Sequence, residues 1–296
     1  MIDFKNLTMD DIEIVRPYFV FSRSNNCDNT VGGSVMWRDY FNTRYAIVDR
    51  TLIFKVTFPG YGECYTVPIG DSVSHAIDLI CKECKELGLP MQFVAATERD
   101  TAVVERKYDV DKVVMQEWSD YVYEAQDLIN LSGRKYHGQK NHINYFKKTF
   151  ANYHFEEITP QNIKEVRDFV EEFSKTESKD SMIFEEELKK TFEVLDNNDK
   201  YKFFGLFLKV DDKIIAFSMG EKVNHTLFAH IEKADKNYRG AYPMIMNEFA
   251  RTYGSDMKYI NREENAGDKG LESSKLQYHP CTILNKHYLK VKCNRC

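Results

Sequence analysis

Residues 202–261 read KFFGLFLKVDDKIIAFSMGEKVNHTLFAHIEKADKNYRGAYPMIMNEFARTYGSDMKYIN, and this stretch decides the fold. Runs of β-branched and aromatic residues predict three strands, and the Asp211-Asp212 turn predicts that the first two form a hairpin. Apolar residues at helical spacing then predict a helix, and a short apolar run predicts a further strand. These elements are Lys202 to Val210, Lys213 to Glu221, Thr226 to Glu232, the helix Tyr242 to Tyr253, and Met257 to Asn261.

The first half of the chain shows the same order of elements. Its predicted strands and helix are Arg44 to Val48, Thr51 to Phe58, Glu63 to Val67, the helix Ser72 to Leu87, and Met91 to Ala95. Two more helices, Pro160 to Phe173 and Phe184 to Leu195, are predicted before the second set of strands. The repeated order suggests duplication of one unit. We therefore expect an α/β fold with two domains, residues 1–150 and 151–296, each a mixed, mostly antiparallel sheet flanked by helices.

Length, composition and charge restrict the classes of protein to which the chain can belong. The 296 residues are 43% hydrophobic and 29% charged, values typical of globular domains. A net charge of -5 argues against a protein that coats nucleic acid, although a local basic patch stays open. The N-terminus has no signal-peptide pattern, and no apolar run reaches the ~18 residues of a membrane span, so we expect a cytoplasmic protein.

The seven cysteines include two Cys-x-x-Cys pairs whose spacing would fit zinc. Cys81 and Cys84 fall on the apolar face of their helix, where free cysteine acts as a small hydrophobe. Cys293 and Cys296 form the second pair, at the end of this sequence. We predict reduced thiols and no metal site.

A glycine turn precedes the second-half helix, at Arg239-Gly240-Ala241-Tyr242. Main-chain N–H groups at a helix start, aided by the helix dipole and by Arg239, can bind a phosphate. These four residues are candidate donor-binding residues, and an ordinary strand-to-helix turn is the alternative. The corresponding first-half turn carries Asp71, which would repel a phosphate, so no donor site is expected there.

A dense polar cluster follows the strand that ends at Asn261. Ligands are usually held by side chains at the carboxyl end of a strand in an open sheet. Glu263 or Glu264 could accept a proton from an amine, and Lys275 could pair with a phosphate or carboxylate. The alternative is a solvated loop with helix caps.

The segment from Ser132 to Phe150 contains five basic residues and no acidic one. Arg134, Lys135 and Lys140 could contact the phosphates of tRNA, with Tyr136 and Tyr145 available for base stacking. A solvated basic helix is the alternative.

Several ordered tracts together resemble the phosphatidylglycerol lysyltransferase C-terminal family. They are Asp120-Tyr121-Val122-Tyr123, Leu128 to His137, Lys140 to Asn144, Asn261-Arg262-Glu263, Gly270-Leu271 and Lys275. The resemblance covers nearly the whole chain and implies tandem acyl-CoA N-acyltransferase-like (GNAT) folds, related to the Fem transferases that use aminoacyl-tRNA. Two positions depart from the family pattern, since Asn265 and Glu272 stand where members often carry Asp and Arg.

The resemblance implies a transferase that moves an aminoacyl or acyl group to an amine or hydroxyl on a small molecule, a peptide or a lipid headgroup. Asn261 and Glu263 are its candidate catalytic residues. No cofactor is required, and aminoacyl-tRNA is the leading donor. An acyl-CoA-dependent N-acetyltransferase and a catalytically silent binding protein are the two alternatives.

Overall fold

The computed structural model describes residues 1–176 and 182–292. The strands are β1 (Lys5–Asn6), β2 (Arg44–Val48), β3 (Thr51–Phe58), β4 (Gly62–Tyr65), β5 (Ile69–Gly70), β6 (Gln92–Ala96), β7 (Val110–Val114), β8 (Asp120–Glu124), β9 (Tyr153–Glu157), β10 (Phe204–Val210), β11 (Lys213–Val223), β12 (Thr226–Ala234), β13 (Tyr259–Asn261), β14 (Thr282–Leu284) and β15 (His287–Val291). The helices are α1 (Ile12–Phe19), α2 (Val73–Leu87), α3 (Glu98–Glu105), α4 (Ala125–Asn130), α5 (His137–Thr149), α6 (Ile163–Thr176), α7 (Met182–Asp196), α8 (Asn198–Tyr201), α9 (Ala241–Tyr253) and α10 (Lys269–Leu276).

The strands form two mixed sheets with matching order. The first runs β1-β2-β3-β4-β6-β15-β7, with β5 paired to β3, and the second runs β14-β8-β13-β12-β11-β10-β9. One pair in each sheet is parallel, β4 with β6 in the first and β12 with β13 in the second. The pairs of β2 with β3, of β10 with β11 and of β11 with β12 are antiparallel. The helix between the parallel strands is α2 in the first sheet and α9 in the second. The predicted fold class, two mixed sheets flanked by helices, is confirmed.

Each sheet takes one strand from a distant part of the chain. The strand next to β6 is the C-terminal β15, and the strand next to β13 is β8, which lies before the midpoint. The chain accordingly divides into a first unit, Met1–Asp120 with Glu264–Gly267 and Leu284–Cys296, and a second unit, Tyr121–Glu263 with Asp268–Ile283.

These units differ from the predicted halves, 1–150 and 151–296. Residues 121–150 belong to the second unit because α4 and α5 pack on α9, where Asn247 donates a hydrogen bond at 2.7 Å to the carbonyl of Leu128. Local periodicity carries no information about such distant pairings.

The core of the second unit lies between its sheet and the helices α4, α5 and α9. Helix α9 buries Ala241, Met244, Ile245, Met246, Phe249 and Ala250, whose i, i+3, i+4 spacing forms one apolar face. This packing fixes the start of α9 and the ends of β12 and β13, which are the elements that carry the candidate site.

Two other properties bear on the sequence predictions. Within the described ranges, the structure contains no helix with both the length and the apolar character needed to cross a bilayer. The five cysteines of those ranges are not in disulfide bonds, and Cys81 and Cys84 are buried on α2. Cys293 and Cys296 lie outside the described residues.

Candidate active site

A β-bulge in the second sheet interrupts the strand pattern at His230. Ile231 on β12 lies opposite Met219 on β11, and Ala229 lies opposite the next residue, Gly220. His230 therefore has no residue directly opposite it, the arrangement by which a bulge re-aims a side chain. The strands approach so closely here that a Cβ on Gly220 would lie 1.9 Å from a carbonyl oxygen of β12. Only glycine fits this position without a shift of the backbone.

The loop after β13 begins where β12 and β13 separate. Their last pair is Phe228 opposite Asn261. Asn261 is fully buried, and its side-chain oxygen accepts a hydrogen bond of 2.6 Å from the main-chain N–H of Glu263. Glu263 has φ of 57°, a conformation uncommon for a residue with a Cβ. The turn directs the Glu263 side chain to His230 on the neighbouring strand.

His230 lies between two carboxylates. Its Nδ1 is 2.6 Å from Oε1 of Glu263, and its Nε2 is 3.0 Å from Oε1 of Glu221. The side chains of His230 and Glu221 are 1% and 6% exposed, whereas that of Glu263 is 16% exposed. Glu263 is thus the member of this Glu-His-Glu group that reaches solvent.

The electrostatics of the group keep the histidine charged. Burial lowers the pKa of His230, but the charge of Glu263 and the hydrogen bonds to both carboxylates outweigh burial and raise the pKa to about 10. An imidazolium donates from both ring nitrogens. Two carboxylates and one imidazolium leave one net negative charge, which suits a group that accepts a proton.

Lys275 hydrogen-bonds to the main chain of the loop after β13. It is buried, and its Nζ donates to the carbonyl of Arg262 at 2.6 Å and to that of Glu263 at 3.1 Å. The carbonyl of Lys275 in turn accepts a hydrogen bond from the Tyr123 hydroxyl at 2.8 Å. The ammonium of Lys275 therefore fixes the main chain that carries Glu263.

Arg262 lies on the opposite side of the same turn. Its Nη2 is 2.9 Å from Oε1 of Glu232, and its guanidinium lies 4.9 Å from the centre of the Tyr278 ring. Although burial acts in the other direction, the charge of Glu232 raises the pKa of Arg262. Arg262 is thus a half-buried cation paired with Glu232, in the residue before Glu263.

The predicted donor turn packs against α5. The guanidinium of Arg239 lies 4.8 Å from the centre of the Tyr145 ring. Gly240 has φ of 97°, and a Cβ there would lie 2.5 Å from the carbonyl oxygen of His142. This close approach of the two main chains explains why residue 240 is a glycine.

One main-chain N–H at the start of α9 is engaged within the turn, that of Ala241, which donates to the carbonyl of Tyr238 at 2.9 Å. Pro243 has no N–H. The turn therefore offers fewer amides to a phosphate than its sequence suggests, and the binding role of Arg239, Gly240, Ala241 and Tyr242 stays a prediction.

The basic residues proposed to contact RNA are exposed. Arg134 and Lys135 lie in a short 3-10 turn before α5, and Lys140 lies on the first turns of α5. Lys135 pairs with Asp127 at 2.9 Å and lies over the ring of Tyr136. Nucleic-acid binding by Arg134, Lys135 and Lys140 stays a prediction.

Of the residues predicted for the site, Asn261, Glu263 and Lys275 come together in one cluster. Glu264, the alternative proton acceptor, belongs to the first unit and lies 3.8 Å from Nζ of Lys286. Sequence reasoning missed His230 and Glu221. Both are ionisable residues, but β11 and β12 carry other charged residues too, so the sequence alone did not single them out.

The first sheet lacks the corresponding group. Its parallel pair has Tyr65 opposite Phe93, and two residues further along these strands stand Val67 and Ala95. Ala95 has φ of 54°, close to that of Glu263, which likewise follows the last parallel pair by two residues. The same backbone turn thus carries an acid in the second unit and a methyl group in the first.

Comparisons with known proteins agree with this architecture. The family model for the phosphatidylglycerol lysyltransferase C-terminal region matches residues 19–289. A crystal structure of a conserved protein of unknown function from Bacteroides thetaiotaomicron is 30% identical, with a TM-score of 0.86 over 99% of this chain and 100% of the other. The C-terminal domain of a putative lysylphosphatidylglycerol synthetase from Agrobacterium fabrum is 12% identical, with a TM-score of 0.65 over 95% of this chain and 91% of that domain, and shares the fold.

One relative was found by sequence, an uncharacterized protein of Mycoplasmoides gallisepticum. It is 26% identical over 197 residues, which cover 64% of this chain. The match spans 61% of the relative's own length.

Proposed function

Because the chain belongs to the phosphatidylglycerol lysyltransferase C-terminal family, we propose that its second unit transfers an aminoacyl group from aminoacyl-tRNA to an amine or hydroxyl acceptor. The observation that carries this proposal is the Glu-His-Glu group. Its one solvent-reaching member, Glu263, lies where the parallel strands separate.

In the proposed reaction Glu263 is the general base. It takes a proton from the acceptor amine or hydroxyl as that group attacks the ester carbonyl of the charged tRNA. The carbon–oxygen bond to the terminal ribose then breaks, a new amide or ester forms, and the proton returns from Glu263 to the ribose oxygen. General base catalysis of this kind contributes typically 10²- to about 10⁴-fold.

The surrounding residues orient Glu263. The imidazolium of His230 holds one carboxylate oxygen and leaves the other for the acceptor, and Glu221 holds the far nitrogen of the ring. Lys275 and Asn261 fix the main chain of the turn. We assign these four residues positioning roles, since each acts through Glu263.

The turn at the start of α9 helps to distinguish aminoacyl-tRNA from acyl-CoA as the donor. An acyl-CoA site of the usual kind needs several outward N–H groups at a helix start to hold a pyrophosphate. At the start of α9 the N–H of Ala241 is engaged within the turn, and Pro243 has none. This supports aminoacyl-tRNA, with the exposed Arg134 and Lys140 as tRNA contacts, over acyl-CoA. A protein that uses charged tRNA works in the cytoplasm, where we place this chain, and no cofactor is required.

Ligand-induced stabilisation tests the donor. The melting temperature of the full chain is measured with charged tRNA, uncharged tRNA, CoA and acetyl-CoA. A ligand at 100 times its Kd adds about 2.7 kcal/mol to the unfolding free energy. We expect a rise with charged tRNA and a smaller rise with uncharged tRNA. A rise with acetyl-CoA alone would favour the N-acetyltransferase alternative, and a response to none of the four would favour the catalytically silent one.

A further inference from the structure

A thiol and an amine are in contact inside the first unit, at Cys27 and Lys286. Nζ of Lys286 lies 3.3 Å from Sγ of Cys27, although the two residues are 259 positions apart in the sequence. They are 3% and 2% exposed. Because both belong to the first unit, the pair is independent of the transferase assignment.

The carboxylate of Asp120 holds the two members of the pair together. Its Oδ2 accepts a hydrogen bond of 2.8 Å from the main-chain N–H of Cys27. Its Oδ1 lies 3.3 Å from the Cys27 sulfur and 2.7 Å from Nζ of Lys286. One carboxylate thus binds the thiol and the ammonium at the same time and keeps sulfur and nitrogen in contact.

The main chain on each side of the pair is also fixed. Cys27 begins a short 3-10 turn, and its carbonyl accepts a hydrogen bond of 2.6 Å from the hydroxyl of Thr30. Lys286 directly precedes β15, and its carbonyl accepts a hydrogen bond of 2.7 Å from the N–H of Met115. The contact between sulfur and nitrogen is therefore a property of the packed chain.

Asp28 can take up the proton that the amine must lose before it reacts. Although burial acts in the other direction, the charges of Asp120 and Asp28 raise the pKa of Lys286, so the amine rests as an ammonium. An ammonium has no lone pair to offer. Oδ2 of Asp28 lies 2.6 Å from Nζ, and burial raises the pKa of Asp28 to about 6, against the charge of Lys286. This carboxylate accepts a proton more readily than an exposed one.

A water-sized cavity adjoins Asp28. Asp28, Gly33 and Ser34 are among the residues that line it, and its volume of about 30 Å³ holds one or two water molecules. Molecular oxygen fits such a space. Burial raises the pKa of Cys27 well above its usual value, which keeps the thiol neutral and slow towards larger thiol reagents. The cavity therefore admits a small oxidant to a pair that larger reagents do not reach.

We propose that molecular oxygen converts this pair into a covalent cross-link, in which one oxygen atom joins Sγ of Cys27 to Nζ of Lys286. The S–H bond, two N–H bonds of the ammonium and the O–O bond break, and an S–O and an O–N bond form. Sulfur and nitrogen each give up two electrons, and oxygen accepts all four. The second oxygen atom leaves as water with two of the three hydrogens, and the third passes as a proton to Asp28.

The separation of the two atoms favours this link over a direct sulfur–nitrogen bond. Oxidised cysteine can condense with a nitrogen to form a sulfenamide. From 3.3 Å, however, a direct bond requires a larger movement of sulfur and nitrogen than a bond through an intervening oxygen. The link fastens the segment before β15 to the turn at Cys27, and thiols reverse it.

The test follows the mass of the full chain in oxygenated and in oxygen-free buffer. Exposure to oxygen should add the mass of one oxygen atom and remove that of two hydrogens, and digestion should give a peptide that joins Cys27 to Lys286. Dithiothreitol should reverse the change, with two of its molecules oxidised to disulfides and the bridging oxygen released as water. A chain unchanged by oxygen, a loss of two hydrogens alone, or an oxidised Cys27 beside an unlinked Lys286 would overturn the proposal.

Two variants and a control locate the link. Cys27→Ser and Lys286→Arg should each abolish the linked peptide, and arginine keeps the positive charge. Cys64→Ser removes another buried thiol and should leave the link intact. If Lys286→Arg fails to fold, Cys27→Ser decides, since it replaces only the sulfur. The same change in mass in Cys27→Ser would show that the oxidation occurs elsewhere and would exclude this pair.

Discussion

At the scale of the residue, the account depends on how one glutamate is held. Glu263 combines a left-handed backbone conformation, a buried amide at Asn261 and an imidazolium at His230. None of these is visible in the sequence around Glu263. The polar run after β13 indicated that a site was present, and the structure distinguishes Glu263 from Glu264.

The charge on His230 gives a prediction for stability against pH. The pKa of this side chain rises from 6.5 to about 10 on folding. A raised pKa means that its contribution is complete below pH 6.5 and is lost as the pH rises through about 10. Denaturant unfolding of the wild type and of His230→Gln should therefore show a difference in unfolding free energy that shrinks from about pH 6 to about pH 10.

Other lysine, tyrosine and cysteine side chains titrate equally in both proteins and cancel in that difference. A difference that is constant or grows with pH would show that His230 is neutral in the folded state.

At the scale of the element, the local sequence pattern predicted most strands and helices but not the irregularities within them. The Asp211-Asp212 hairpin and the helix α9 are confirmed, with ends that differ from prediction by one or two residues. The bulge at His230 was not predicted, because the residue pattern of β12 alone does not fix its register on β11. Gly220 on the facing strand is a local indication of the bulge, but it can be recognised as one only when the register of the two strands is known.

Gly220→Ala should disrupt the bulge. A Cβ at this position would meet main-chain atoms, so the strands must move apart, at a cost of about 3 kcal/mol. We also expect loss of transfer activity, since His230 moves with the bulge. The unfolding free energy and the transfer rate are the measurements.

Gly88→Ala is the matched control for that substitution. Gly88 has φ of 64° at the end of α2, and a Cβ there would meet no atom within 4 Å. It should lose about 1 kcal/mol through backbone strain alone and keep full activity. If Gly220→Ala behaves like Gly88→Ala, the bulge is not essential to the site.

The basic element before and within α5 gives a prediction for RNA binding. Replacing Arg134, Lys135 and Lys140 with Gln should weaken tRNA binding and reduce the slope of log affinity against log salt by about two. Lys135 already pairs with Asp127 and should contribute least. Filter binding at several salt concentrations measures the slope.

The control replaces the exposed Lys5, Lys82 and Lys85 of the first unit with Gln, which changes the net charge by the same amount. Equal effects of the two triple variants would mean that tRNA responds to overall charge and not to this element.

At the scale of the whole molecule, each sheet includes one strand from a distant part of the chain. The first sheet needs β15 between β6 and β7, and the second needs β8 beside β13. The sequence predicted a repeated order of elements with a boundary at residue 150, whereas the first compact unit runs to Asp120; duplication of one unit stays a prediction. Pairings across more than a hundred residues leave no periodic signal.

Deleting residues 287–292 should therefore unfold part of the first sheet. Hydrogen exchange should show lost protection in β6 and β7, with protection kept in β10, β11 and β12. Deletion of residues 293–296 alone leaves every described strand in place and serves as the control. Retained protection in β6 after the longer deletion would show that β15 is dispensable.

The most direct measurement of the central claim is transfer of label from tRNA charged with labelled amino acids. The acceptor is supplied as a small-molecule extract together with phosphatidylglycerol vesicles. The wild type should move label from tRNA into a product, and Glu263→Gln should do so at least about 100-fold more slowly while binding tRNA equally well. Transfer at the wild-type rate by Glu263→Gln, or no transfer of label from tRNA by the wild type, would contradict the claim.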